Sequence, residues 1–265
     1  MSSPLASDVY LLERWKFFPQ LQPIERRNEI FKEYLALGVA GRWPYHQAAK
    51  SGESQPTQTQ FSSILGPART VKEREIARVL LCGQLPPRRV WLRTAYEGSN
   101  LLESLNITEI GDITGQDNSD ALVLHDRERY SYGPRWQQIL HCIPELVDSY
   151  LGPRAPDRHQ ARVQDAKAEI QSELENEEDE EARAEIRERV RHAWVTGCFW
   201  VQDGVAAETG EALLVWVDEF GRVVRQNRIG DLTLYNGMFD KHADGETEWW
   251  NTAEVGEAYE AGSWP

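Results

Sequence analysis

The chain has 265 residues, of which 40% are hydrophobic and 27% are charged, and its formal net charge is −14. This balance, together with 10 Trp, 9 Tyr and 7 Phe, excludes a disordered chain and predicts one large or two small folded domains. No stretch approaches the roughly 20 apolar residues of a membrane-spanning helix, and the N-terminus lacks the pattern of a signal peptide, so no membrane association is expected.

The first predicted elements are helices. The first spans 22–38, with Pro23 in its first turn and an apolar stripe that includes Phe31. The polar segment 41–63 follows and is interpreted as a long loop. A second helix is predicted over 70–82, where Thr70 and Glu73 form a capping box.

A third helix is predicted over 87–105, because Trp91, Ala95, Gly98, Leu102 and Leu105 repeat at helical spacing. The segment "ALVLHDRERYSYG" (121–133) is interpreted as a hairpin whose turn is "HDRE". A fourth helix is predicted over 134–151. Its buried side should carry six residues: Trp136, Ile139, Leu140, Ile143, Val147 and Tyr150.

The second half of the chain changes from helical to strand periodicity. A long helix is predicted over 157–195, followed by strands at 197–204 and 231–239 and by a clear hairpin at 211–229. The predicted fold class is therefore α+β: a mainly helical N-terminal part, a long charged helix and a small antiparallel β-meander.

Charge is distributed unevenly between two predicted regions. The segment "GPRAPD" (152–157) suggests a boundary between a helical scaffold, 1–154, and an acidic region, 155–265, although a single compact domain stays open as the alternative. Residues 1–154 are balanced in charge, so 155–265 carry the whole net charge. Direct nucleic-acid binding is not expected, because an acidic surface repels phosphate.

The acidic run in the long helix is interpreted as a solvated face. "ELENEEDEEARAE" lacks the central glycine of a calcium loop, and Glu188 stands four residues before His192 rather than three, so no metal motif is present. The segment 175–181 has no apolar residue, so it either projects into solvent or divides the helix. An acidic partner-binding surface and nucleic-acid mimicry are the alternatives.

Three cysteines, Cys82, Cys142 and Cys198, are too few and too far apart for a disulfide scaffold or a zinc site. They favour a reducing compartment, cytoplasmic or nuclear. Motifs for nucleotides, metals and nucleophilic catalysis are absent, so no cofactor is expected.

Five residues are candidates for acid/base chemistry, each weighed against an ordinary structural role. His125 and Asp126 lie at a predicted turn, where polar residues are common anyway. His141 adjoins Cys142, but neighbouring helical side chains diverge by about 100°, so the pair does not form a nucleophile. Asp203 and Asp218 could supply polar groups inside an aromatic-lined cavity.

Seven residues are candidates for binding. Arg88, Arg89 and Arg93 could form an anion-binding face, or a counterpart for aromatic rings. Trp200 and Trp216 could line a cup between sheet and helices, or form a plain aromatic core. The acidic tail, 240–265, contains Trp249 and Trp250, whose burial is favourable enough to predict that they dock on the helical half or on a partner.

The leading functional hypothesis is a soluble, non-catalytic protein-binding or scaffold protein that uses its acidic, aromatic-rich C-terminal half. The first alternative is a cofactor-free acid/base enzyme or carrier of a small molecule, with its cavity between sheet and helices. A weaker alternative is an acidic mimic of nucleic acid.

Overall fold

A mixed sheet of seven strands lies at the centre of the part of the chain that the structure describes. In this computed structural model that part comprises residues 4–52, 55–82, 90–98, 100–104, 108–109, 120–150, 153–179, 182–183, 191–230 and 249–259. The strands are β1 (Val90–Arg93), β2 (Thr108–Glu109), β3 (Asp120–Leu124), β4 (Gly197–Gln202), β5 (Ala212–Val217), β6 (Val223–Ile229) and β7 (Glu254–Val255).

The strand order is β2-β3-β1-β4-β5-β6-β7. Strands β2, β3, β1 and β4 are parallel, whereas β4 to β7 form an antiparallel meander. The α+β class is therefore confirmed. The pairing of β1 with β4, which places Trp91 opposite Trp200, joins residues from both sides of the predicted boundary at 152–157.

Ten α-helices can be named among the described residues: α1 (Ala6–Arg14), α2 (Pro23–Ala36), α3 (Gly38–Ser51), α4 (Gln58–Gln60), α5 (Gly66–Ala68), α6 (Val71–Cys82), α7 (Leu101–Ser104), α8 (Arg127–Tyr130), α9 (Pro156–Asn176) and α10 (Gly204–Thr209). Helices α2 and α6 confirm two predictions. The backbone N–H of Thr70 donates to Glu73 at 2.6 Å and that of Glu73 donates to the Thr70 hydroxyl at 3.1 Å, as a capping box requires.

Helix α3 occupies much of the segment that was predicted to be a loop, so that prediction is wrong. A π-helix (Phe61–Leu65) also lies at its end. The loop prediction failed because the buried side of α3 carries Arg42, not an aliphatic stripe. The Arg42 guanidinium is 1% exposed and donates to Asp148 Oδ1 at 3.0 Å.

The predicted helix 87–105 is also wrong where the structure describes it, because Val90–Arg93 form β1 and only Leu101–Ser104 are helical. Trp91 and both neighbours are buried. A short apolar run that is buried on both sides has no alternation, so it resembles one face of a helix.

The predicted hairpin at 121–133 does not form. Strand β3 pairs in parallel with β1, and Asp126 then caps the short helix α8. The predicted helix 134–151 is replaced by two 3-10 helices, Trp136–His141 and Pro144–Asp148, because Pro144 has no N–H to continue a helix. Its predicted buried side is nevertheless correct, except that Tyr150 is only partly buried.

Helix α9 is shorter than predicted. It ends at Asn176, and residues 177–179 are not helical, so the acidic centre ends the helix. Residues 191–194 are helical again. The strand at 197–204 and the hairpin at 211–229 are confirmed by β4, β5 and β6, whereas the predicted strand at 231–239 lies outside the described residues.

Both faces of the sheet are covered by other elements. One face, with Phe199 and Val215, packs against the two 3-10 helices and α6. The other, with Trp200 and Trp216, packs against α9 and the tail. Strand β5 is buried along its whole length, as its apolar residues on both sides predict. No helix in the described ranges has the length and apolar character to cross a bilayer.

The aromatic tail docks on the sheet. Trp249 meets Trp200 edge-on at 5.4 Å between ring centroids, and Trp250 meets Trp216 at 5.3 Å. The Tyr259 hydroxyl donates to Asp218 Oδ2 at 2.7 Å. Docking on the protein itself is thus confirmed for 249–259, but its place is the sheet rather than the helical half. Trp264 lies outside the described residues.

Candidate functional site

The four tryptophans predicted as binding residues lie in the core. Trp200 and Trp216 are 0% exposed, Trp249 is 9% exposed and Trp250 is 7% exposed. They contact one another, and Trp91 stacks on Trp200 at 5.1 Å. The tail therefore fills the place that the aromatic-lined cup was predicted to occupy. A partner-binding role for these rings stays a prediction that would require them to leave the core.

Asp203 is held by an arginine and by the helix it caps. Its carboxylate accepts from the Arg228 guanidinium at 2.8 and 2.5 Å and from the Ala206 N–H at 3.0 Å. Burial raises the pKa of Asp203, but these hydrogen bonds outweigh burial, and the pKa is lowered overall. The ionised carboxylate is thus occupied structurally and is a poor proton acceptor.

Asp218 organises the turn between β5 and β6. Its Oδ1 accepts from the backbone N–H groups of Phe220 and Arg222, both at 2.9 Å. Its Oδ2 accepts from the Arg222 guanidinium at 2.6 Å and from the Tyr259 hydroxyl. Four donors on one buried carboxylate explain why this acid is in the core, and they leave it little capacity for a substrate.

His125 and Asp126 are both exposed and lie between β3 and α8. Asp126 accepts from the N–H groups of Glu128 at 3.0 Å and Arg129 at 3.3 Å, as an N-cap residue does. These contacts give Asp126 a structural role. His125 and Asp126 follow β3, whereas Asp203 caps α10 and Asp218 lies in the turn after β5, so these candidates belong to separate elements.

His141 and Cys142 do not form a nucleophilic pair. Cys142 is buried, and its sulfur lies 3.0 Å from an Arg27 nitrogen and 3.1 Å from the Tyr132 hydroxyl. Burial raises the pKa of the thiol despite Arg27, so the thiol stays protonated. Burial also lowers the pKa of His141, which Lys32 lowers further. Cys142 is therefore a buried core residue.

The proposed arginine face is only partly described. Arg88 and Arg89 lie outside the described residues. Arg93, at the end of β1, donates to the Ala95 carbonyl at 3.1 Å and lies over the Tyr96 ring at 4.9 Å. Its guanidinium is therefore engaged locally, by residues two and three positions further along the chain.

A shallow and widely open surface depression, here named the α9 groove, lies between α9 and the helical residues 191–194. Its volume is about 550 Å³. Eight residues line it: Arg158, Ala161, Arg162, Asp165, Ala166, Glu169, His192 and Ala193. Arg158, Arg162, Asp165 and Glu169 follow helical spacing, so they form one stripe about 16 Å long at 1.5 Å per residue. The three alanines contribute only methyl groups to this lining.

Charge changes along this stripe. Arg158 and Arg162 lie towards the start of α9, whereas Asp165 and Glu169 lie further along it and are exposed. The Arg162 guanidinium donates to the carbonyls of His192 at 2.9 Å and Val195 at 3.4 Å, which joins the two walls of the groove. The α9 groove is therefore positive at one end and negative at the other.

His192 connects the α9 groove to the docked tail. Its ring meets Trp250 edge-on at 5.1 Å, and its Nε2 lies 3.4 Å from the Tyr150 hydroxyl. Burial and the nearby Arg162 lower the pKa of His192 to about 4. The imidazole is therefore neutral at pH 7, and its contacts described here are with the Tyr150 hydroxyl and the Trp250 ring rather than with a carboxylate that would orient it as a base.

Sequence reasoning missed the α9 groove. Spacing alone would have placed Arg158, Arg162, Asp165 and Glu169 on one stripe, and Ala161 and Ala166 beside it. The second wall could not be predicted, because it depends on how residues 191–194 return to α9 after the acidic run. Across the described ranges, no three His, Cys, Asp or Glu side chains cluster in a way that could hold a metal ion.

No protein-family model matches the chain, and neither the curated proteins nor the solved structures give a match.

Proposed function

We propose that this chain is a non-catalytic binding protein whose protein partner docks in the α9 groove. The observation that carries the proposal is the stripe on α9, open over its alanines and opposite in charge at its two ends. A helical segment of a partner, about three turns long, matches its length of about 16 Å. Acidic side chains at one end and basic side chains at the other would match its charges.

The state of the acid/base candidates supports binding over catalysis. Asp203 and Asp218 are each saturated by an arginine and by backbone donors. Asp126 caps a helix, and His141 adjoins a protonated thiol. A general base needs a free acceptor close to its substrate, and none of these residues combines the two.

The acidic character of α9 favours a protein partner over nucleic acid. Exposed acids continue beyond the groove to the end of the helix and into 177–179. Such a face would repel a phosphate backbone and attract basic segments of a protein. The buried thiols of Cys142 and Cys198 support a reducing compartment, cytoplasmic or nuclear, as part of the same proposal.

The test is a comparison of two variants with the same change in net charge. Asp165→Lys with Glu169→Lys reverses the acidic end of the groove. Glu175→Lys with Glu178→Lys reverses two exposed acids of the same region that do not line it. Both proteins, and the wild type, are immobilised, and the captured proteins are quantified by mass spectrometry.

The wild type and the Glu175/Glu178 variant should capture a partner of the groove in similar amounts. The Asp165/Glu169 variant should capture about tenfold less of it, or lower still. The binding site on the partner should then be mapped by cross-linking to 158–169. If both variants capture the same proteins in the same amounts, the groove is not a docking site.

A small-molecule carrier is the second candidate, and a different groove favours it. This groove of about 540 Å³ lies beside the Asp203–Arg228 pair and includes Trp136, Gln137 and Gln226. Native mass spectrometry would show a co-purifying ligand as added mass. If such a ligand is lost in Gln137→Trp but kept in Asp165→Lys with Glu169→Lys, the carrier function replaces the protein-binding one.

A further inference from the structure

The charged stripe on α9 is complementary to a second copy of itself. Its charged residues, in chain order, are Arg158, Arg162, Asp165 and Glu169. Arg158 and Glu169 are placed symmetrically about the point between residues 163 and 164, and so are Arg162 and Asp165. Reversing the direction of the helix about that point therefore brings each arginine to the height of a carboxylate.

An antiparallel pair of α9 helices matches these charges, whereas a parallel pair does not. In a parallel pair, Arg158 would face the partner's Arg158, and Glu169 would face the partner's Glu169. In an antiparallel pair centred between residues 163 and 164, Arg158 lies level with Glu169 of the partner subunit, and Arg162 lies level with the partner's Asp165. A twofold axis repeats each contact in the opposite sense, so two kinds of ion pair give four contacts.

The charged groups are available for such contacts. Arg158, Asp165 and Glu169 are exposed, and their side chains make no ion pair within the ranges that the structure describes. Arg162 is partly exposed, and the carbonyls of His192 and Val195 hold its guanidinium in place. A guanidinium has five N–H donors, so Arg162 has donors left for a carboxylate.

Within a single copy this arrangement of charges is unfavourable. Arg158 and Arg162 are four residues apart, as are Asp165 and Glu169, so like charges are neighbours on the helix surface. Arg158 also lies in the first turn of α9, where the helix dipole disfavours a cation. An antiparallel second copy places a carboxylate near each arginine and so offsets the repulsion.

The shape of this surface admits a second helix. The depression is shallow and widely open, and Ala161 and Ala166 flank the charged residues with methyl groups. The buried residues His159 and Val163 lie on another side of α9, so the stripe is free of the core. Short flanking side chains allow two helix axes to approach to about 8 Å, the lower end of the usual range. Arginine side chains are long enough to reach a carboxylate on a helix at that distance.

We propose that the partner that docks in the α9 groove is a second copy of this chain, bound through an antiparallel, twofold-symmetric pair of α9 helices. The proposal rests on the protein-binding function proposed above and names its partner. Arg158 and Arg162 of each copy bind Glu169 and Asp165 of the partner subunit. A contact of three helical turns is smaller than a standard interface of about 800 Å² per partner, so the dimer should dissociate in the micromolar range.

Analytical ultracentrifugation of the full chain measures the dimer. The concentrations run from about 1 to 300 µM, the range in which a small interface dissociates. At low salt the wild type should pass from monomer to dimer across this range. Raising the NaCl concentration to about 0.5 M should increase the Kd severalfold, because salt screens exposed ion pairs.

The variants Arg158→Glu and Glu169→Arg test the register of the pair. Each variant alone places like charges together at both ends of the antiparallel pair and should raise the Kd about tenfold or more. An equimolar mixture of the two variants restores opposite charges at both ends, and so does the double variant that carries both changes. Both should dimerise about as tightly as the wild type.

Two controls separate loss of the dimer from loss of the fold. Arg158→Glu and Glu169→Arg each place opposite charges four residues apart within α9, so helix content and melting temperature should be kept. Glu175→Arg makes the same change in net charge as Glu169→Arg at an exposed residue of α9 that does not line the groove. That variant should leave the Kd within about twofold of the wild type.

Recovery in both the mixture and the double variant supports the proposal, because an antiparallel pair centred between residues 163 and 164 joins these two positions. A wild type that stays monomeric up to about 300 µM overturns it. So does a dimer that either single variant leaves intact, or failure of the mixture or the double variant to recover. The capture experiment then decides the protein-binding function separately. Capture of a different protein that is lost in Asp165→Lys with Glu169→Lys keeps that function, and equal capture by both charge-reversal variants refutes it as well.

Discussion

Replacement of Trp250 by alanine tests whether the tail is an integral part of the core. Trp250 is 7% exposed, and its indole packs edge-on against Trp216 and His192 beneath Arg225. A Trp side chain buries roughly 200 Å², which at about 25 cal/mol per Å² gives about 5 kcal/mol as an upper estimate. We expect Trp250→Ala to lower the free energy of unfolding by about 3–5 kcal/mol.

The assay is urea unfolding followed by far-UV circular dichroism, since loss of a tryptophan would itself change the fluorescence signal. The matched control is Phe17→Ala, which removes an aromatic ring that is 53% exposed. That variant should change stability by less than about 1 kcal/mol. If Trp250→Ala has as small an effect as Phe17→Ala, the tail does not stabilise the sheet, and the buried position described for Trp250 is refuted.

Three further predictions follow from buried groups. His192 has a folded pKa of about 4, below the ordinary value near 6.5, so stability is fully present above about pH 6.5 and falls as the pH is lowered towards 4. We expect a loss of about 1–2 kcal/mol between pH 7.5 and pH 5, which His192→Phe should reduce; an unchanged slope would contradict this. Gly197→Ala should destabilise the protein by more than about 2 kcal/mol in thermal unfolding, because its Cβ would collide with the carbonyl of Leu146. Gly204→Ala has open space and should be tolerated, so equal melting temperatures would show that the β4 backbone can move. Glu145→Ala removes the partner of a buried arginine and should cost about 3–5 kcal/mol by chemical denaturation; a cost below about 1 kcal/mol would mean that water replaces the carboxylate.

The sequence predicted the elements whose side chains follow a regular period with aliphatic residues. Helix α2, helix α6 and the hairpin of β5 and β6 all belong to this group. Their local signals, such as the capping box at Thr70 and the apolar run that ends before Gly221, are sufficient to locate them. The α+β class followed from the order of such signals along the chain.

The predictions were wrong for elements whose structure depends on residues far away in the sequence. Strand β1 resembled a helix because Trp91 is covered on both sides, and α3 resembled a loop because its buried side uses Arg42. The buried guanidinium is compensated by Asp148, which lies more than a hundred residues away in sequence. A local sequence pattern cannot indicate such an ion pair, because the free-energy cost of burying one charge depends on whether an opposite charge from elsewhere in the chain lies beside it.

For the candidate site residues, too, local properties were predicted correctly and distant contacts were not. The tail tryptophans were expected to dock, because exposed indole is unfavourable, and this was confirmed for Trp249 and Trp250. Their target was not predictable, since it requires knowing that Trp200 and Trp216 lie on one face of a sheet. The catalytic candidates Asp203 and Asp218 proved to be capping and turn residues. A carboxylate that accepts hydrogen bonds suits these structural roles as well as it suits catalysis.

The pairing of β1 with β4 sets the order in which the protein can fold. The two strands are separated by more than a hundred residues, so their alignment must await synthesis of the second half of the chain. Until residues 249–259 have left the ribosome, the tryptophan face of the sheet lacks part of its cover. Topologies of this kind fold slowly, and incomplete forms expose apolar surface that can aggregate. Nascent chains of this protein should therefore depend on chaperones until the tail has been made.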